Sequence, residues 1–422
     1  MKIILIFFTI LLYSFPLKKG DFATGNIFDN SQTKWLKKFK IIDVGGIDDK
    51  NIDKKMVIKY NNIVLGYDWL PAFYFYKDGS NNSFVKKLYS HKNKTTLNPN
   101  GPFPHCKNMG YNWCDDYYYN FGDKNVIDNK IDFLIKNLKQ KKFNGLFFDW
   151  AGGDFILQKE YKSIYKNFKK LNPTKNYFKM ISLFYKKLKQ KNIFFITNQA
   201  FRHHKYLLPF IKYDMTESYG TTDKYIKNRI QILNKGFVDK VPITDYYPID
   251  GTLKGSLFYL NLLTKYKKLY KNKGFQNFIY LNYLAPDYKQ IYPNQPLYKE
   301  IKPKNGIYFA FALAKLTDNI VYSEVDENRN LERDEIYFYK LGKVIGKNYQ
   351  KIAKNIYVRF YQNGFVLVSD AFSKSKTIKI ETNKPFYDVY NKKWIKNGNI
   401  ILNYQQDIFT KKFLPLGRLF IY

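Results

Sequence analysis

Between residues 38 and 324, short runs rich in β-branched and aromatic residues alternate with segments whose apolar residues recur three and four apart. The runs are Ile41–Val44, Ile63–Tyr67, Gly145–Trp150, Ile193–Asn198, Tyr213–Tyr219, Val241–Tyr246, Asn277–Tyr283 and Ile320–Glu324. Between them, Ile127, Ile131, Leu134, Ile135 and Leu138 fall on one helical face, as do Tyr177, Ile181, Phe184, Tyr185 and Leu188. Leu253, Leu257, Leu260, Leu263 and Leu269 make another such face, and Ile307 to Leu316 a last one. Apolar spacing of this kind marks the buried side of a helix. Eight strands separated by helices is the count of a (β/α)₈ TIM barrel, in which every crossover helix returns the chain to a parallel strand. The competing open, doubly wound sheet carries a glycine-rich phosphate turn after a strand, and no GxGxxG or GxxxxGK turn occurs here.

The chain is expected to divide at about residue 335. Residues 20–335 read as the barrel, with a long insertion at about 69–126 after the second strand run. Long βα connections in barrels usually build the binding site or a lid. After residue 336 only short strand patterns remain: Tyr357–Tyr361, Phe365–Asp370, Thr377–Glu381, Tyr387–Tyr390, Asn399–Asn403 and Arg418–Tyr422. Asn363-Gly364 and Asn397-Gly398 supply hairpin turns. Residues 336–422 are therefore predicted to form a small antiparallel, β-sandwich-like domain.

The first 19 residues read as a signal peptide or N-terminal anchor: Lys2, an apolar run from Ile3 to Tyr13, then Pro16, Lys18 and Lys19. The run is short against the roughly 20 residues that span a bilayer. The mature chain is expected to be secreted or periplasmic, either free or tethered by its first residues. Cys106 and Cys114 are the only cysteines, and in an exported protein they are candidates for a disulfide that closes one loop. Two cysteines are too few for a metal centre.

The formal net charge is +36, but only six of the 71 basic residues are arginines, leaving 65 lysines spread along the whole chain. Phosphate recognition favours the bidentate guanidinium fork over a hydrated ammonium. Nucleic acid is therefore not expected as a partner, and the chain is expected to be a monomer.

In barrels, catalytic groups project from the C-terminal ends of strands. Reading only those ends gives Asp68, Asp149, Asn198, Glu217, Asp245, Asn282, Tyr283 and Glu324. Asp149 closes the apolar run Gly145-Leu-Phe-Phe-Asp, and Glu217 closes Tyr213-Asp-Met-Thr-Glu. A carboxylate at the end of an apolar strand costs several kcal/mol to bury unless it is paired, so it needs a purpose. Two carboxylates facing one cleft are what glycosidic cleavage requires. Asp68 is equally suited to an ion pair with a lysine, and Asp245 and Glu324 to supporting roles. Trp69, Trp150, Tyr219, Tyr246 and Tyr283 stand near these ends and offer flat faces to a sugar ring. His203 and His204 are adjacent, so on a helix they point apart and do not share a metal. No cofactor or metal is expected.

Tyr119-Asn-Phe-Gly-Asp123, a helix, and Phe143-Asn-Gly-Leu-Phe-Phe-Asp-Trp150 together resemble a motif of TIM-barrel glycoside hydrolases similar to the endo-α-1,4-polygalactosaminidases and related glycosidase-like groups. Phe195-Ile-Thr-Asn198, Asp214-Met-Thr-Glu217 and Tyr280-Leu-Asn-Tyr283 follow in the same order, and Val358–Val368 with Leu414–Arg418 resemble the β domain behind such barrels. Asn144 stands where that family usually has an aspartate. The resemblance implies a secreted glycan hydrolase with Asp149 and Glu217 as its carboxylate pair, and the substrate does not transfer with it. From their places at the strand ends, Asp68, Trp69, Trp150, Asn198, Tyr219, Asp245, Asn282, Tyr283 and Glu324 are expected to line the substrate. The alternative is a non-catalytic glycan-binding or envelope-associated barrel.

Overall fold

A computed structural model describes residues 20–25, 34–48, 52, 54–58, 62–100, 114–153, 156, 161–217, 253–281, 303–325, 334–406 and 413–422. Eight strands close into a barrel: β1 (Phe22–Gly25), β2 (Ile41–Gly46), β3 (Ile63–Trp69), β6 (Gly145–Asp149), β7 (Phe194–Asn198), β8 (Tyr213–Glu217), β9 (Asn277–Leu281) and β10 (Ile320–Val325). The hairpin strands β4 (Ala72–Tyr76) and β5 (Cys114–Tyr118) lie in the insertion and pair with each other. Around the ring the order is β1-β10-β9-β8-β7-β6-β3-β2. The barrel and the expected β region are both present. The ring draws its eighth strand from Phe22–Gly25, which the sequence pattern did not mark, while Val241–Tyr246 lies outside the described residues.

The chain divides into two compact units, residues 43–215 with 266–277, and residues 1–42, 216–265 and 278–422. In the first, β3, β6 and β7 pair in parallel, with Leu65 opposite Gly145 and Gly145 opposite Phe194. A Cβ on Gly145 would meet the Phe194 carbonyl at 2.4 Å, so only glycine lets these strands approach. The helix Lys124–Lys141 starts at Asp123, whose carboxylate accepts from the Asn125 N–H at 2.8 Å. It buries Val126, Ile127, Ile131, Leu134 and Leu138. The helix Tyr177–Gln190 starts at Asn176 and buries all five residues of its expected face. Full burial of each aliphatic or aromatic side chain contributes about 1.5–3 kcal/mol, which outweighs the weak helix preference of the β-branched residues.

The helix Leu253–Tyr270, assigned to the second unit up to residue 265 and to the first from 266, buries Leu253, Leu257, Leu260 and Leu263. Leu269, expected on that face, is 57% exposed; the helix has turned it outward in its last turn. The C-terminal strands are β11 (Gln350–Ala353), β12 (Ile356–Tyr361), β13 (Gly364–Ser369), β14 (Ser375–Lys379), β15 (Phe386–Asp388), β16 (Lys393–Ile395), β17 (Asn399–Asn403) and β18 (Leu416–Ile421). Six of them form one sheet in the order β11-β12-β13-β18-β15-β16, and β14 pairs with β17. One face of the sheet meets Ile378, Ile400 and Leu402 through Ile356, Phe365 and Phe420. On β18, a Cβ at Gly417 would lie 2.4 Å from the Tyr308 carbonyl of the helix Pro303–Leu316, so helix and sheet backbone touch there. Covered on both sides, β13 is buried at every position. Among the described residues, no helix is long and apolar enough to cross a membrane.

Candidate active site

Asp149 is the last residue of β6, in register with Trp69, the last residue of β3. Its carboxylate is held by three donors. The Tyr67 hydroxyl donates to Oδ2 at 2.8 Å, and the Asn198 side-chain amide and the Trp150 backbone N–H each donate to Oδ1 at 2.8 Å. β3, β7 and the turn after β6 thus each contribute one donor to a single carboxylate, which is half-buried and forms no ion pair among the described residues. Both oxygens act as acceptors, so the group is arranged as a base, nucleophile or electrostatic partner rather than as a proton donor.

The backbone at these strand ends is strained. Trp150 has φ 52° and Gln199 has φ 62°, both in the left-handed region. A bulky residue there is uncommon and costs on the order of 1–3 kcal/mol, which the surrounding structure must hold in place. At Trp150 the turn aims its own N–H back at Asp149. At Gln199 it ends β7 immediately after Asn198. The following turn is fastened by Asp214 of β8, whose buried carboxylate accepts from the Thr197 hydroxyl at 2.7 Å, the Ala200 N–H at 3.0 Å and the Phe201 N–H at 2.9 Å. Burial pushes the Asp214 carboxyl up to about 7, against the pull of these donors.

A second aspartate belongs to this neighbourhood. Asp43, in the middle of β2, is 6% exposed and its Oδ1 has no hydrogen-bond partner among the described residues. Burial pushes its carboxyl up to about 8; the N–H groups of Gly45 and Val44 pull it back, and the charge of Asp149 raises it further. Burial and the neighbouring Asp149 also hold the Tyr67 phenol well above its ordinary value, so it stays a donor. Reading strand ends alone misses Asp43. The signal was present as a lone acid inside the apolar run Ile41-Ile-Asp-Val.

The expected aromatic faces gather beside Asp149. Trp69 stacks on Tyr74 at 5.3 Å and meets Trp150 edge-on at 5.9 Å, and Trp150 meets Tyr161 at 5.8 Å. Trp69 is buried and Trp150 half-buried. Asn198 is buried and bonded to Asp149, as a strand-end amide should be. Asp68 instead points into a buried ion pair: Lys130 Nζ lies 2.9 Å from Oδ1 and 3.2 Å from Oδ2. The same ammonium sits 4.2 Å over the Tyr119 ring. Asn144 staples β3, its side-chain oxygen accepting from the Val64 N–H at 2.7 Å. His203 stacks on Phe178 and His204 on Tyr266, so the two rings pack apart.

Of Glu217 and Glu324 only the backbone is described, at the C-terminal ends of β8 and β10. Tyr219, Asp245, Asn282, Tyr283 and Cys106 lie outside the described residues, and Cys114 is described by its backbone alone, at the start of β5.

No family model matches the chain, and no curated protein matches it. Among solved structures it is similar to the glycoside hydrolase domain of PelA from Pseudomonas aeruginosa, at 12% identity over 74% of this chain and 95% of that one, with a TM-score of 0.40. It is also similar to the maltogenic α-amylase AmyB from Thermotoga neapolitana, at 11% identity over 96% and 100%, with a TM-score of 0.48. A third likeness is to Ega3 from Aspergillus fumigatus, solved in complex with galactosamine, at 10% identity over 63% and 78%, with a TM-score of 0.34. Likeness at this level says nothing about chemistry. That question falls to the side chains around Asp149.

Proposed function

We propose that the chain is an exported glycoside hydrolase that cleaves a polysaccharide, with Asp149 and Glu217 as its two carboxylates. The observation that carries the reading is the Asp149 carboxylate: held by Tyr67, Asn198 and the Trp150 N–H at the C-terminal end of a barrel strand, in no ion pair among the described residues, beside Trp69 and Trp150. A carboxylate fixed by donors and flanked by flat apolar faces suits the cationic, oxocarbenium-like centre of glycosidic cleavage. Because both Asp149 oxygens already accept hydrogen bonds, the proton for the leaving oxygen falls to Glu217, at the end of β8. In this scheme Glu217 protonates the glycosidic oxygen as the bond to the anomeric carbon breaks. Asp149 then attacks that carbon or stabilises its charge, and water completes the hydrolysis.

Asp149→Asn and Glu217→Gln should each lower release of reducing ends from a cleaved polysaccharide by 10³-fold or more, with unchanged far-UV circular dichroism and melting temperature. Near-normal turnover by either variant would overturn the assignment of that residue. Fractionation of expressing cells tests export directly, since the native chain should leave the cytoplasm and a chain lacking residues 1–19 should not.

A further inference from the structure

A groove of about 970 Å³ opens along the insertion, between the β4–β5 hairpin region and the exposed side of the helix Lys124–Lys141. We propose that it is an extended saccharide subsite, holding uncharged pyranose units of the polymer beyond the point of cleavage. The inference rests on the reading of Asp149 as part of a glycan-cleaving site.

Three observations converge on it. The first is continuity. The groove begins at Gly46 and Asp48, at and just beyond the C-terminal end of β2, and is lined by Tyr74. Tyr74 stacks on the buried Trp69, and Trp69 meets Trp150, the neighbour of Asp149, so packed ring contacts link the groove wall to the surroundings of the carboxylate. The second is the form of the lining. Tyr74 and Tyr76 both line it, as residues two apart on a strand share a face. Asn81 pins the strand there, accepting from the Tyr76 N–H and donating to its carbonyl, each at 2.8 Å. On the opposite wall Asn129, Phe133, Lys136, Asn137 and Gln140 recur with helical spacing, and Phe133 stacks on Phe84 at 4.4 Å. Flat rings set among amides match a pyranose, which offers an apolar C–H face and a rim of hydroxyls. The volume lies at the upper end of the roughly 300–1,000 Å³ range of small-molecule sites.

The third observation is charge. In a chain of net charge +36, this groove is lined by Asp48 and Asp132 as well as by Lys87, Lys136 and Lys141. Lys87 donates to Asn129 at 3.2 Å and Lys141 to the Ile52 carbonyl at 2.9 Å. Two of the three ammonium groups are therefore engaged within the protein, which favours a neutral ligand over a polyanion.

The test uses the full chain carrying Asp149→Asn, so that nothing is cut, in affinity electrophoresis against glycogen, xylan, hydroxyethylcellulose and pullulan, with heparin as the polyanion. Retardation by at least one of the first four, little changed between 0.15 and 0.5 M NaCl, is expected. Adding Tyr76→Ala should weaken it about tenfold, the loss of one aromatic stacking face. Adding the surface change Gln140→Ala, which leaves the fold untouched, should weaken it two- to fivefold. Binding by none of the four polymers, binding only to heparin and abolished by salt, or unaltered binding in both added variants would each overturn the proposal. Binding that behaves as expected in a chain whose native form cuts no polymer would leave this groove standing and remove only the hydrolytic reading.

Discussion

Asp43 and Asp149 carry the same side chain two strands apart in the ring and meet opposite surroundings. Three donors surround the carboxylate of Asp149, whereas Asp43 is closed off from water with one oxygen unpartnered among the described residues. Burial raises Asp43 from 3.8 to about 8, so between these values the native chain keeps a proton that the unfolded chain has released. Stability therefore falls as pH rises through that window, and below pH 4 the group contributes nothing. Asn cannot ionise, so Asp43→Asn should match the native chain at pH 4 and melt several degrees higher at pH 7.5, the difference growing with pH. Melting curves at the two pH values check it; a variant that is less stable at both would show that the hydrogen bonds from the Gly45 and Val44 N–H groups outweigh the cost of burying the charge. At the same scale, Tyr67→Phe removes one donor from Asp149 while keeping the ring. It should lower kcat on a cleaved polysaccharide about 10- to 100-fold, the worth of one hydrogen bond to a charged group, with little change in KM.

Between β7 and β8 the fastening of one loop by one side chain decides where Asn198 stands. Asp214→Ala would leave the Thr197 hydroxyl and the N–H groups of Ala200 and Phe201 without their acceptor. A loss of about 2–4 kcal/mol is expected in urea unfolding, together with weakened activity as Asn198 drifts from Asp149. Elements of this kind divide sharply in how well they could be read from the chain. The helix Tyr177–Gln190 was legible because its five apolar residues are the ones it buries. β6 was legible because Gly145 to Phe148 is apolar without interruption and buried throughout. β1 was not, since its four residues Phe-Ala-Thr-Gly are too short and mixed for a period to show. β11 and β16 escaped for the same reason. The strand-end places of Asp149 and Asn198 were readable because each closes an apolar run. Asp43 showed only as a lone acid in an apolar run, because its properties come from what covers a mid-strand position, and that is set by residues far along the chain.

Charge belongs to the molecule as a whole. With 65 lysines and a formal net charge of +36, the folded chain confines like charges that the unfolded chain spreads apart, and this self-repulsion opposes compaction. Against it stand ion pairs such as Lys77–Asp115, Lys187–Asp128 and Lys379–Glu381, each with at least one partner well exposed to solvent and with a small net worth. Salt weakens both effects, but not equally. The repulsion sums over many separations comparable with the Debye length of about 10 Å at 0.1 M, whereas each surface pair has little to lose. The buried pair of Lys130 with Asp68, 1% and 10% exposed at their side chains, is barely reached by ions. Raising NaCl from 0.02 to 0.5 M should therefore raise the melting temperature by several degrees at pH 7, and replacing chloride by another monovalent anion at equal ionic strength should leave the gain nearly the same. A melting temperature that falls with salt would mean that the surface pairs outweigh the repulsion, and that the lysines are arranged as a network rather than as a dispersed excess.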